Sequence, residues 1–298
     1  MTDSTALVSI GELSKPATVL VEKISDAIGG IFKPWQIRRV ARAEGEAERI
    51  KAVSQIEISK LQRRALQRFI VEEAKKQTNI ESITAKALPN VEQNAQPQNM
   101  EDDWITNFFD KCRLISNEEM QILWSKVLAG EANSPGTFSK RTVNFLGSLD
   151  MYDATLFHSL CRFSWITEGL TPLIYNESTE IYNKYGLDFV SLKHLDAIGL
   201  LSLESTTGYL LTELPKKITI TYYGKPLIIE FGNEKENEFN IGHVILSKIG
   251  QELAPICGAK PIPEFFDFVI EECKTKMGLK ILSPISSGEQ EQPNAGSA

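Results

Sequence analysis

The chain has 298 residues and is poor in the groups that catalysis and metal binding usually need. Its only histidines are His158, His194 and His243, with neither HxxxH nor HExxH spacing, so no histidine metal site is expected. The four cysteines, Cys112, Cys161, Cys257 and Cys273, stand far apart with no CxxC or Cys/His pairing. They read as buried thiols of a reducing compartment, not as a disulfide framework. GxxxxGK, GxGxxG and GxSxG are all absent, which removes the phosphate-cradling loop, the dinucleotide fingerprint and the nucleophile elbow. No local Ser/His/Asp or Cys/His arrangement stands out. The chain therefore reads as non-enzymatic, with no cofactor. It also lacks the run of about 20 apolar residues that crosses a bilayer. Asp3 and Glu12, without a basic n-region, argue against a secretory signal, so the expected location is cytoplasmic.

What is present is 42% hydrophobic residues, enough for two domains or one large one. The net charge of −7 conceals an asymmetry. Between Lys33 and Lys76 stand twelve Lys or Arg against six Glu, leaving the remainder strongly acidic. In the same segment Ile37, Val40, Ala43, Ala47, Ile50, Val53, Ile58, Leu61, Ala65 and Phe69 follow a helical face. No proline interrupts residues 36–76, and a continuous helix there would span about 60 Å. A helix of that length needs a partner helix or a second subunit. Ile50, Val53, Leu61 and Phe69 are the candidate assembly face. Arg38, Arg39, Arg42, Arg63, Arg64 and Arg68 are candidate contacts to nucleic acid or to another partner. The glutamates among them would repel phosphates, which favours assembly over nucleic acid.

Upstream, Ser14 and Pro16 open a helix with Val19, Leu20, Ile24, Ala27, Ile28 and Ile31 on one face. Gly29, Gly30 and Pro34 end it. The following Trp35 and basic residues give residues 15–35 a second reading as a membrane-surface segment. Glu22 and Asp26 disfavour anionic lipid, and packing against the long helix is the simpler use of that face.

Residues 89–100 are rich in Asn, Gln and Pro and read as a linker. Residues 283–298 read as a disordered tail. Between them the pattern divides. Residues 1–88 form an N-terminal helical assembly region, 101–185 a central helical domain and 186–282 a smaller α/β domain. In the central block Trp104, Ile105, Phe108 and Phe109 recur at helical spacing, and Glu101, Asp102 and Asp103 fit a helix N-terminus better than a cation site. Ser116 through Glu119 read as a capping box before a helix carrying Met120, Leu123, Trp124, Val127 and Leu128. Trp104, Trp124 and Leu128 are the expected core. Asn133 through Gly136 end that helix, Thr137 or Ser139 opens the next, and Asp150 a further one.

Towards the C-terminus the pattern changes to alternation. Ser191 reads as the cap of a short helix stopped by Gly199. Strands then follow, among them two flanking Gly224-Lys225 as a hairpin, and helices begin at Ser247 and Pro263. The order helix, GLL, strands, LSKIGQEL is that of a winged-helix-like module with an expanded hairpin. The candidate helices carry only Lys193 and Lys248, too few for a reader of DNA phosphates. The fold class is mainly α, with this smaller α/β part at the C-terminus.

Glu118-Glu119-Met120-Gln121, Leu123-Trp124, Leu128-Ala129-Gly130-Glu131, Pro135-Gly136-Thr137-Phe138-Ser139 and Arg141-Thr142 resemble the bacterial family of domain of unknown function 2806. So do Glu22-Lys23, Asp26-Ala27-Ile28-Gly29, Pro34, Ile37-Arg38-Arg39 and Ala43-Glu44. The resemblance covers roughly residues 13–278 and implies no reaction, since that family has none established. In layout such proteins are loosely similar to bacterial abortive-infection and phage-resistance accessory proteins. The expected function is a non-enzymatic sensor or accessory protein of stress or phage defence, with self-association and a protein partner. The alternatives are a nucleic-acid-associated winged-helix regulator and a membrane-surface effector.

Overall fold

The computed structural model describes residues 13–28 and 60–282. Arg38, Arg39, Arg42, Ile50, Val53, Trp35 and the 283–298 tail lie outside the described residues. The chain divides into two compact units, Met1–Leu149 and Asp150–Ala298. Helices build the first, and antiparallel strands with short helices build the second, so the architecture is mixed α/β with its sheet region at the C-terminal side.

In the first unit, α1 (Lys15–Ala27) starts at Ser14, whose hydroxyl accepts from the Ala17 N–H at 3.3 Å. Its apolar face of Ala17, Leu20 and Ile24 is buried. Helix α2 (Lys60–Ala87) outlasts the basic segment by eleven residues, since no helix breaker appears until Pro89. Two further helices, α3 (Asp102–Cys112) and α4 (Glu118–Asn133), and the short α5 (Lys140–Leu146) follow among the described residues. Helix α1 packs on α3 and on a turn at Pro97–Asn99, and α2 packs on α4. Trp104 stacks on Phe108 at 5.1 Å, and Trp124 meets Phe108 edge-on at 5.0 Å. Trp104, Trp124 and Leu128 are core residues, as their spacing requires. Apolar side chains at three- and four-residue intervals had one face to share, and the aromatic rings fill it.

Two local readings change. The cap of α4 is Asn117, whose side chain accepts from the Met120 N–H at 3.0 Å. Ser116 instead accepts from the Asn79 amide at 3.4 Å, a neighbour 37 residues away that sequence spacing does not reveal. Residues 89–100 are not an open linker. Val91, Ala95, Pro97 and Met100 are buried, and the Gln96 N–H donates to the Ala132 carbonyl at 3.0 Å. Asn133 holds the same segment by accepting from the Glu92 N–H at 2.9 Å and donating to the Asn90 carbonyl at 3.0 Å. Backbone groups of the stretch thus find their partners outside it, on Asn133 and Ala132.

The second unit begins earlier than residue 186. It opens with α6 (Met151–Cys161), capped by Asp150 at 3.0 Å from the Asp153 N–H. Strands β1 (Ser164–Ile166) and β2 (Leu170–Pro172) follow, then α7 (Glu180–Asn183) and α8 (Phe189–Ala197). The cap of α8 is Asp188, with Ser191 completing a reciprocal box three residues on. Next come β3 (Leu201–Leu203), β4 (Tyr209–Leu214), β5 (Lys217–Tyr222), β6 (Lys225–Glu230), β7 (Asn237–Gly242) and β8 (Val244–Leu246). These strands pair as nested arms, β3 with β8, β4 with β7 and β5 with β6, around a turn at Tyr223-Gly224. Helices α9 (Lys248–Leu253) and α10 (Pro263–Glu271) and strand β9 (Lys280–Leu282) end the unit.

The inner arms join a five-stranded sheet of order β2-β1-β5-β6-β9, antiparallel throughout. That pairing draws β1 and β2 into this unit and moves the boundary from 185/186 to 149/150. Trp165 of β1, stacked on Tyr222 at 5.0 Å and Phe266 at 5.4 Å, sits in the core with Phe163, Tyr182 and Phe265. Helix α9 enters through Gly250, where a Cβ would collide with the Leu200 carbonyl. The glycine of the LSKIGQEL string is therefore a close-approach residue.

Candidate functional site

Helix α2 carries one face along its whole length, Leu61, Ala65, Phe69, Glu72, Lys76, Asn79, Ile83 and Ala87 at intervals of three and four. The distal half of that face is used. Ile83 and Ala87 are 0% exposed against α4, and the Asn79 amide donates to the Arg113 carbonyl at 2.8 Å. Gln121 of α4 completes the seam. Its side-chain oxygen accepts from Ser82 at 2.8 Å and Lys86 at 2.9 Å, and its nitrogen donates to the Ile115 carbonyl at 2.9 Å.

The proximal half is bare. Leu61 is 67% exposed and Phe69 59%, and Ala65 between them is exposed as well. Arg63 and Arg64 are exposed on the same stretch, and Arg68 pairs with Glu72 of its own helix at 3.4 Å. An exposed pair of this kind contributes about 0.3–0.5 kcal/mol, too little to be its reason for existing. Leu61, Phe69, Arg63, Arg64 and Arg68 thus share one exposed helical stretch. The other candidates of the same set, Arg38, Arg39, Arg42, Ile50 and Val53, lie outside the described residues.

Other features found from sequence take structural roles. The apolar face of α1 lies inside the first unit, with Lys23 donating to the Met100 carbonyl at 2.9 Å and bridging Asp102 at 2.6 Å. Among the described residues of 15–35, Ala17, Leu20 and Ile24 are buried. The carboxylate triplet at 101–103 is met by lysines, Lys140 lying 3.6 Å from Glu101 and 3.7 Å from Asp103. The string from Gly130 to Ser139 is a folding device. Glu131 is buried and accepts from the Gly136 N–H at 2.7 Å and the Phe138 N–H at 2.8 Å. Trp104 donates its indole N–H to the Phe138 carbonyl at 2.7 Å. A Cβ at Gly130 would lie 2.7 Å from the Phe138 ring.

Two histidine–carboxylate pairs exist in the second unit. His194 Nε2 lies 2.7 Å from Asp153, and His243 Nδ1 lies 2.8 Å from Glu177. Each pair links segments distant in sequence, α6 to α8 and the β7–β8 junction to the loop after β2. No group of three or more His, Cys, Asp or Glu among the described residues is arranged to hold a metal ion. No described helix is long and apolar enough to cross a membrane.

Sequence reading did not connect Cys161 with Cys257, yet the Cys257 thiol bears on the titration of Cys161. Ninety-six residues separate them, so no local motif could have signalled the connection. Burial, with the neighbouring thiol second, raises the Cys161 pKa well above its ordinary value.

These features define a two-unit mixed α/β protein with an exposed apolar and basic stretch along the proximal half of α2. The chain belongs to the family described as protein of unknown function DUF2806, whose model matches residues 63–270. Neither a curated protein nor a solved structure matches it significantly.

Proposed function

We propose that this chain is a non-enzymatic interaction protein that associates with a second copy of itself through the proximal half of α2. The observation that carries the reading is the contrast along one helical face, buried from Asn79 onward and exposed at Leu61, Ala65 and Phe69. Large exposed apolar side chains on a regular stripe mark a docking face more often than an accident of composition. A second copy is the favoured occupant because the same periodicity continues upstream in the sequence through Ile58 and Ile50. Mixed charge, Arg63, Arg64 and Arg68 beside Glu72 and Glu73, also lets like helices approach.

Magnitudes set the expected strength. Covering Leu61 and Phe69 on both copies gains roughly 1.5–3 kcal/mol per side chain. Bringing two molecules together costs about 4–15 kcal/mol. The four side chains alone reach only the threshold of association, so the upstream apolar residues must contribute as well.

In the second unit, the order α8, β3, nested ribbon, β8, α9 supports a winged-helix-like module with an enlarged wing. A protein partner suits α8 better than DNA does. Its Lys193 is tied to Asp196 at 2.6 Å, while Phe189 and Val190 are exposed. A role as sensor or accessory protein in stress or phage defence rests on the likeness in layout. The test is light scattering at low and high salt, with and without duplex DNA and RNA. A salt-tolerant dimer or larger assembly without nucleic acid is expected. A monomer that forms tight, salt-sensitive complexes with nucleic acid would replace this reading with the regulator.

A further inference from the structure

The exposed stripe of α2 has unlike charges on its two sides. At 3.6 residues per turn, each residue advances about 100° around the helix. With Ala65 as the middle of the stripe, Leu61 and Phe69 lie about 40° to either side. Arg68 and Arg64 line the Leu61 side, about 60° and 100° from the middle. Glu73 lines the Phe69 side, about 80° away, and Arg63 falls on the back. Both flanking groups reach solvent, the Arg68 side chain being 77% exposed and that of Glu73 44%. Arg68 meets Glu72 at 3.4 Å and Glu73 meets Lys76 at 2.6 Å, both within the helix. A guanidinium has five donors and a carboxylate about four lone-pair sites, so neither pair exhausts its members.

Two copies related by a two-fold axis can lay this face together in two directions. In a parallel pair the axis runs along the helices, and each flank of one copy faces the opposite flank of the other. Arg68 then meets Glu73 of the second copy, five residues further along, twice by symmetry. In an antiparallel pair the axis crosses the helices and like flanks face each other. Arg64 and Arg68 of one copy would then crowd Arg64 and Arg68 of the other. Charges beside an apolar seam set the direction of pairing in this way.

We propose that two copies join along α2 in parallel and in register, with Arg68 of each bridged to Glu73 of the other. Leu61, Ala65 and Phe69 each meet their own counterpart in the seam. The inference rests on self-association through this face and adds its direction, its register and the groups that select them. Exposed ion pairs add little affinity, whereas like charges forced together oppose the wrong pairing. Ala65, small between Leu61 and Phe69, lets the two backbones approach at the middle. Glu72 meets its own copy near the seam, and the Arg68 one turn back on each helix offsets that repulsion. From Asn79 onward the face is buried within its own unit, so the seam closes at the same point on both helices. A parallel pair therefore carries both first units at one end.

The test uses full-length Leu61→Cys and Phe69→Cys chains, alone and mixed, oxidised and mapped by peptide without reduction. The expected links join 61 to 61 and 69 to 69, and none joins 61 to 69. A second measurement reverses charge. Arg68→Glu sets like charges opposite Glu73 and should weaken dimerisation roughly tenfold, the size of two small ion-pair contributions changing sign. Adding Glu73→Arg to that variant should restore the parent's affinity. Links from 61 to 69 without same-site links, or tighter dimerisation by Arg68→Glu, would overturn the parallel direction and leave self-association through the face standing. An assembled parent with no link at either site would overturn both, since another surface would then join the copies. A parent that light scattering finds monomeric would remove self-association itself, and this proposal with it.

Discussion

The two halves of α2 share one helical face and have opposite surroundings. From Asn79 to Ala87 the face meets α4 and is sealed by Gln121, Ser82 and Lys86. From Leu61 to Glu72 the same azimuth points into solvent. Helical periodicity is identical in both, so amphipathicity alone does not say what covers a helix. The covered half differs in carrying polar groups placed for particular partners, Asn79 for the Arg113 carbonyl and Ser82 for Gln121. The bare half offers apolar side chains and mixed charge, which suits a partner outside the unit.

The largest effect is expected on the covered side. Trp124→Ala removes a fully buried ring from beside Phe108 and should cost about 3–5 kcal/mol, read as a lowered denaturant midpoint of the first unit. A midpoint unchanged from the parent would mean that the helix phase is wrong. Glu131→Ala comes next, because it strips the Gly136 and Phe138 N–H groups of their acceptor. It should cost about 2–4 kcal/mol, since hydrogen bonds to a charged group are worth about 1.5–3 each and do not simply add. A loss below 0.5 kcal/mol would show that water replaces the carboxylate there.

The capping residues sharpen the comparison further. Asn117→Ala should destabilise by about 1 kcal/mol, the usual size of a lost N-cap. Ser116→Ala should do less, since its 3.4 Å contact with Asn79 is long. Urea melts of the two variants with their order reversed would restore Ser116 as the cap.

Much of the helical framework was legible in the sequence. Ser14, Ser139, Asp150 and Ser247 each cap the helix they precede, because a short polar side chain before an apolar stripe acts locally. The hairpin at Tyr223-Gly224 was within one residue of its expected place. What sequence could not give depends on distant pairing. Residues 89–100 looked like a linker because their buried groups are few and their backbone groups find partners beyond the segment, at Asn133 and Ala132. The unit boundary fell at 149/150 because Ile166 of β1 pairs with Thr221 of β5, fifty-five residues on. Of the candidate site, Leu61, Phe69, Arg63, Arg64 and Arg68 were legible as a stripe with charge. Which half of the stripe was already occupied was not, because α4 covers it through residues 35 to 42 positions away.

The most direct measurement is the solution mass, by light scattering at micromolar concentration, of two variants beside the parent chain. Leu61→Asp with Phe69→Asp puts charge into the bare stripe, whereas Arg63→Gln, Arg64→Gln and Arg68→Gln leave the stripe and remove its basic flank. The first variant should fall to the monomer mass with an unchanged melting temperature, and the second should keep the mass of the parent assembly. A parent that is already monomeric, or an assembly lost in the arginine variant and kept in the aspartate one, would contradict self-association through this face.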